Sequence, residues 1–380
     1  MRYKAQARHD LSDVPFDLLF GEIMSLNIPV VSLDALRAND AHQAQELTHS
    51  LKQFGLIHIK DHGIDENEVN ELYDCYRAFT RLPDEEKAKL GGADVWYQRG
   101  WTPPNTEKAV IANGQPDFKE CYFIAPIEMD AELKLEFPEL IAENIWPTDM
   151  PRFKELYLKI GKQVHEIGLV LLAACEKVLG LPENTFKQLI EGGAHVSRLL
   201  RYLPITEEQI QSSILWGEEH TDFNLLTLLP GGRFYDENDQ ACPAPKDGSG
   251  LFLRAHSAEH PEGILLSGTA PKGCMVAQIG QQLEILTGGR FVATPHVITP
   301  PKTTGYTRMS FAHFMHVHPH QLLTPLAPFR TKETIEAYRP PVMAGSYDIK
   351  TLVDIGLAPT SALDSLGYRH YSRLEKQRNG

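Results

Sequence analysis

The stretch Glu219-His220-Thr221-Asp222-Phe223 decides how this chain is read. It opens a run in which Phe223, Leu225, Thr227 and Leu229 alternate with Asn224, Leu226 and Leu228 until Pro230-Gly231-Gly232 closes it, the two-residue period of a β-strand. Residues two apart in a strand share a face, so the spacing predicts that His220 and Asp222 point at one spot. An imidazole beside a carboxylate is two-thirds of the two-histidine, one-carboxylate set that holds iron(II) on one side and leaves positions open. Among 16 histidines such a pair also arises by chance, and a third ligand in the right context has to decide.

The segment from Gly273 to His296 supplies one. It predicts two strands joined by a tight Gly288-Gly289 turn, where glycines provide positive φ, with His296 at the far end of the second strand. Arg308-Met309-Ser310 then opens a further strand that places Arg308, Ser310, Ala312 and Phe314 on one face. The planar fork of arginine donates two parallel hydrogen bonds to a carboxylate, and a serine on the same face can add a third.

His-x-Asp, a Gly-Gly turn, a distal His and Arg-x-Ser, in this order, resemble the isopenicillin N synthase-like family of iron(II)/2-oxoglutarate-dependent oxygenases. The resemblance implies an α+β fold: a double-stranded β-helix (jelly-roll, cupin-like) core flanked by helices, with an N-terminal α/β region. It implies iron(II) on His220, Asp222 and His296, with 2-oxoglutarate as co-substrate held through its distal carboxylate by Arg308 and Ser310. Tyr202, on the strand that stops at Pro204, resembles a further co-substrate contact, and Phe314 a position lining the substrate pocket. The activity implied is oxidation of a small molecule by O2 with release of succinate and CO2. Two alternatives stay open: an oxidase that uses the same iron without 2-oxoglutarate, Arg308 and Ser310 then binding the substrate carboxylate, and a non-catalytic protein on the same scaffold. The interval between His220 and His296 is longer than in plant-type members, and with the Thr-Gly-Gly and Thr-Pro-His wording it resembles the bacterial ethylene-forming branch more.

Composition agrees with an ordinary soluble protein. Hydrophobic residues make up 42% and charged residues 23% of the 380, enough for an ample core. A net charge of −13 disfavours a nucleic-acid surface,. Five scattered cysteines without a Cys-x-x-Cys pair suit a reducing, cytoplasmic setting,. The N-terminus lacks an apolar signal core and no run reaches membrane-spanning length, so no membrane partner is expected.

In order, residues 1–26 read as an extension. Residues 27–150 read as the N-terminal α/β region: a strand at 28–33, a helix at 40–53, a strand at 55–59, a helix through Val69, Leu72, Tyr73, Tyr76 and Phe79, and a Leu82-Pro83-Asp84-Glu85-Glu86-Lys87 helix start,. Residues 151–192 read as scaffold helices, the long one carrying a stripe of Phe153, Leu156, Ile160, Val164, Ile167, Leu171 and Val178. Residues 193–320 read as the jelly-roll core, and 321–380 as a C-terminal extension of loops and short helices with a basic tail that could pack over the barrel mouth. Within the core, 233–272 reads as a long loop.

Other candidates have plainer readings. His58 and His62 are expected to cap backbone groups, and Trp96, Tyr97, Arg99 and Trp101 to lie near a pocket mouth while serving packing. His165 is expected in solvent or at a cap, His256 and His260 in a solvated loop, and His313, His316, His318 and His320 where the last strand runs into solvent, with His316 on the face of Arg308.

Overall fold

Local patterns set the N-terminal region. The computed structural model describes residues 28–107, 118–211, 215–255 and 263–366. Strand β1 (Val30–Ser32) is followed by helices α1 (Leu33–Arg37) and α2 (Ala41–Gln53), strand β2 (Leu56–Lys60), and helices α3 (Glu66–Thr80) and α4 (Asp84–Ala88). Side-chain oxygens of Ser32, Asp40 and Asp65 accept from first-turn amides of α1, α2 and α3, so capping fixes all three helix starts. The expected apolar stripe of α3, from Val69 to Phe79, is buried. Strands β3 (Gly100–Thr102) and β4 (Lys119–Ile124) complete the region.

Helix α5 (Pro151–Leu179) begins on its proline and ends on Gly180 at φ 68°, the arrangement that lets one residue open and another close a helix. Phe153 through Leu171 of its stripe are buried, whereas Val178 is exposed. The helix lies so close to the sheet that a β-carbon on Gly168 would collide with the Met315 sulfur. Helix α6 (Thr185–Ile190) leads into the core.

The core strands are β5 (Val196–Tyr202), β6 (Gly217–His220), β7 (Leu226–Leu229), β8 (Gly232–Tyr235), β9 (Ala241–Cys242), β10 (Gly250–Ala255), β11 (Ile264–Ser267), β12 (Met275–Ile279), β13 (His296–Thr299) and β14 (Thr307–Met315). Helix α7 (Gln281–Leu286) separates β12 from β13, and α8 (Ala344–Asp354) follows the barrel. One sheet runs β1-β2-β12-β7-β14-β5-β4-β3, with β8 also on β14, and the other runs β11-β10-β13-β6. The chain swaps sheets repeatedly between β5 and β14. That is the expected jelly-roll core in an α+β fold.

Several expectations need correction. The run after His220 is not one strand: β6 ends at His220 in the small sheet, and the chain crosses over residues 221–225 before β7 enters the large one. Gly288 and Gly289, at φ 60° and 74°, do not make a hairpin. They close α7, with the Gly289 amide bonded to the Glu284 carbonyl at 2.9 Å, because a helix end recruits the same positive φ as a tight turn. His296 therefore starts its strand. Residues 233–272 are not one long loop, because strands β8 to β11 are set among their turns. His165 is buried, with Nδ1 3.1 Å from His313 Nε2. His313 and His316 are buried too, and only His320 of that group is exposed. His256, His260, the N-terminal extension and the basic tail lie outside the described residues.

Candidate metal centre and adjoining cavity

The sheet swap brings the three expected ligands together. His220 at the end of β6 and His296 at the start of β13 are directly opposite each other in an antiparallel pair, their rings 4.3 Å apart between centroids. Asp222, two residues into the crossing, turns back so that Oδ1 lies 3.6 Å from His220 Nε2 and 3.8 Å from His296 Nε2. The three donor atoms lie within 4.8 Å of one another, and no other group of three such side chains does so among the described residues.

Each donor is held from behind. His220 Nδ1 lies 2.6 Å from the Glu218 carbonyl, which fixes the tautomer with a lone pair on Nε2. The Gln278 amide lies 2.6 Å from His296 Nδ1. The Thr227 hydroxyl donates to Asp222 Oδ2 at 2.6 Å, and the Gln281 amide to the Asp222 carbonyl at 2.8 Å. Burial works against ionisation of Asp222, but the neighbouring His296 and His220 outweigh it and hold the carboxyl well below its usual range. Burial, reinforced by His220, pushes His296 down to about 4. Desolvation would lower His220, whose ring is still half exposed, yet Asp222 moves it the other way and the net direction is upward. An ionised carboxylate beside a neutral imidazole, with both Nε2 atoms aimed inward, is the donor set a divalent cation requires.

A cavity of about 460 Å³ opens beside these donors. Arg308, Ser310, Ala312 and Phe314 all line it, as strand alternation predicts. Tyr202 lies opposite Arg308 in the β5–β14 register, also lines the cavity, and stacks on Trp216 at 5.2 Å. The Arg308 guanidinium sits 5.4 Å from the Tyr202 ring and 5.9 Å from the Phe234 ring. Gly232, opposite Ser310 on β8, leaves the space it occupies.

Other lining groups carried no clear sequence signal. Glu107 pairs with Lys119 at 2.9 Å and with Arg198 at 2.9 Å. Burial opposes its ionisation, but the two cations hold its carboxyl well below the usual range. Arg198 also stacks over Phe123 at 4.3 Å and lies 5.3 Å from Phe314. Helix α8 supplies the outer wall with Tyr347, Lys350 and Leu352, and the Tyr347 hydroxyl bonds Gln281. Helix α8 thus walls the cavity, while the basic tail expected over the mouth lies outside the described residues. His316 lines the cavity with Nδ1 3.4 Å from Asp348 Oδ2 of α8. Gln278 and Thr227 could have been noticed only as lone polar residues in apolar strands.

The remaining candidates are structural. His58 Nε2 lies 3.2 Å from the Gly268 carbonyl and His62 Nδ1 accepts from the Ile64 amide at 3.2 Å. Arg99 is fully buried and ties the carbonyls of Ala142 and Leu140, each at 2.9 Å. Trp101 Nε1 donates to Glu120 at 2.9 Å, while Trp96 and Tyr97 pack on the α8 cluster.

Comparison with known proteins converges on one family. Residues 28–149 match a model described as the non-haem dioxygenase in morphine synthesis N-terminal region, and residues 197–317 match that of the 2OG-Fe(II) oxygenase superfamily. Together they cover more than half of the chain. The chain is 28% identical over 300 residues to the 2-oxoglutarate-dependent dioxygenase ecdK of Aspergillus rugulosus, covering 72% of this chain and 82% of that one. A 2OG-Fe(II) oxygenase family protein from Caulobacter crescentus superposes with a TM-score of 0.70 at 26% identity, over 86% of this chain and 99% of the other. A full-length Neurospora crassa protein solved in complex with alpha-KG superposes with a TM-score of 0.68 at 21% identity, over 88% of this chain and 98% of the other.

Proposed function

Since the chain belongs to the 2OG-Fe(II) oxygenase superfamily, we propose that it holds iron(II) through His220, Asp222 and His296 and the distal carboxylate of 2-oxoglutarate through Arg308 and Ser310. The enzyme is an iron(II)- and 2-oxoglutarate-dependent dioxygenase. Iron(II) with 2-oxoglutarate supplies the O2 chemistry, in which the co-substrate leaves as succinate and CO2 and a small-molecule substrate is oxidised. The observation that carries the ligand assignment is the convergence of two imidazole nitrogens and one carboxylate oxygen within 4.8 Å.

The chain's own residues bind, orient and exclude water. Glu218 and Gln278 hold the two imidazoles, and Thr227 holds the carboxylate. Arg308 offers a fork that matches a carboxylate, Ser310 adds a hydroxyl from the same face, and Tyr202 closes the co-substrate end. Phe314, Phe123 and Leu352 give the cavity apolar walls for the substrate. The matched spans support a division into an N-terminal α/β region at 27–150 and a jelly-roll core at 193–320, joined by scaffold helices at 151–192. The net charge of −13 fits a small-molecule enzyme better than a nucleic-acid binder,, and no described helix is long and apolar enough to cross a membrane. None of the five cysteines forms a disulfide, which fits a cytoplasmic setting.

The test is succinate formation from 2-oxoglutarate with iron(II) and O2. His220→Ala is expected to abolish it while the thermal melt of the metal-free protein stays near wild type. Full activity in that variant would overturn the ligand assignment.

A further inference from the structure

Gln278 and Thr227 are directly opposite each other in the β12–β7 pair of the large sheet. Both side chains reach across the gap between the sheets. Gln278 meets His296 of β13, and Thr227 meets Asp222 in the crossing between β6 and β7. Both residues are buried, Gln278 to 1% exposure and Thr227 to 2%. An amide taken out of water is costly unless it is hydrogen-bonded, and the neighbours Val276, Ala277 and Ile279 show that this strand otherwise carries apolar side chains.

The two contacts follow one logic. Thr227 occupies Asp222 Oδ2, so that Oδ1 is the oxygen facing both imidazoles. Gln278 lies against His296 Nδ1, with the Thr294 carbonyl also hydrogen-bonding this ring, so that Nε2 is the nitrogen facing Asp222. For Nε2 to give its lone pair to a cation, Nδ1 must carry the ring proton, and its partner must then be an acceptor. A half-turn of the glutamine amide exchanges its oxygen and nitrogen without moving other atoms.

We propose that Gln278 and Thr227 form one positioning pair for the metal centre: Gln278 accepts the His296 Nδ1 proton through Oε1 while Thr227 holds Asp222 to a single inward-facing oxygen. This rests on the ligand assignment made above. The large sheet thereby orients ligands contributed from outside it, and the metal affinity of the apo-protein is set partly by a cross-strand pair that touches no metal.

The test is anaerobic competition for iron(II) between the full-length chain and a chromophoric chelator, with the metal-free melt of each variant recorded. Removing partners of this kind costs about 10- to 100-fold in metal affinity. That loss is expected for Gln278→Leu and for Thr227→Val, with the metal-free melts close to wild type. Gln278→Glu keeps an acceptor and adds charge, so it should bind iron(II) as tightly as wild type or tighter. Thr227→Ser should also retain affinity. His296→Ala separates the two readings: if it binds like wild type, the ligand assignment fails. If His296→Ala loses binding while Gln278→Leu and Thr227→Val keep wild-type affinity, the positioning pair is wrong. Should Gln278→Leu not fold, Gln278→Glu still decides, because a tenfold loss there would mean the amide donates and the acceptor role is wrong.

Discussion

A methyl group added at Gly232 would sit 2.9 Å from Arg308 Nη2 and 3.0 Å from the Met309 carbonyl, closer than packed atoms tolerate. The nearest atom is the end of a long side chain, which can move more cheaply than the strand. Gly232→Ala should therefore displace the guanidinium, while the Met309 carbonyl of the paired strand has to give by only a few tenths of an ångström. We expect the KM for 2-oxoglutarate, measured by succinate formation, to rise about tenfold, equivalent to about 1.4 kcal/mol, with a wild-type melt. An unchanged KM would argue against co-substrate binding at Arg308. The glycine's role could not be read from Pro230-Gly231-Gly232 alone, where it looked like part of a turn. Arg308 and Ser310 were legible because strand alternation puts them on one face wherever the strand's neighbours lie.

Elements were legible where one period dominated. The stripes of α3 and α5 follow the helical repeat, and the Pro and Gly at the ends of α5 mark its limits. Short elements were not. Leu225, Leu226 and Leu228 are all buried, so a crossing between sheets and a strand have the same apolar look there. Helix α7 has only six residues, too few to show a period, and its closing glycines imitate a hairpin. Strands β8 to β11 run from two to six residues among turn residues, which reads as a loop. The three proposed ligands converge all the same, because their meeting depends on the swap between sheets and not on one continuous strand.

A set of buried histidines joins α5 to the large sheet. His313 sits between the Ser197 hydroxyl at 2.9 Å and His165 at 3.1 Å. His195 accepts the His316 amide at 3.1 Å, and its Nε2 lies 3.0 Å from the Ile190 carbonyl. Burial pushes His165 from 6.5 down to about 4 and drives His195 and His313 well below 6.5. Above pH 6.5 these rings are neutral in both folded and unfolded chains and contribute no pH dependence. Below it the unfolded chain takes up protons that the folded chain refuses, so stability falls as pH drops towards 4, by about 1.4 kcal/mol per pH unit for each such histidine. Urea unfolding between pH 7 and pH 4.5 should show this, and His165→Gln should reduce the slope by about one proton. The same slope in His165→Gln would mean that His165 charges freely in the folded protein.

In the proposed site one cavity holds iron(II) on His220, Asp222 and His296 and 2-oxoglutarate on Arg308. The decisive experiment titrates the anaerobic, iron(II)-loaded protein with 2-oxoglutarate and follows the visible absorption that grows as the co-substrate binds the metal. The wild-type protein should give a saturable band. Arg308→Ala should need much more 2-oxoglutarate to reach it, and His296→Ala should give none. A band of unchanged affinity in Arg308→Ala would place the co-substrate carboxylate elsewhere, and wild-type absorption in His296→Ala would remove His296 from the metal site.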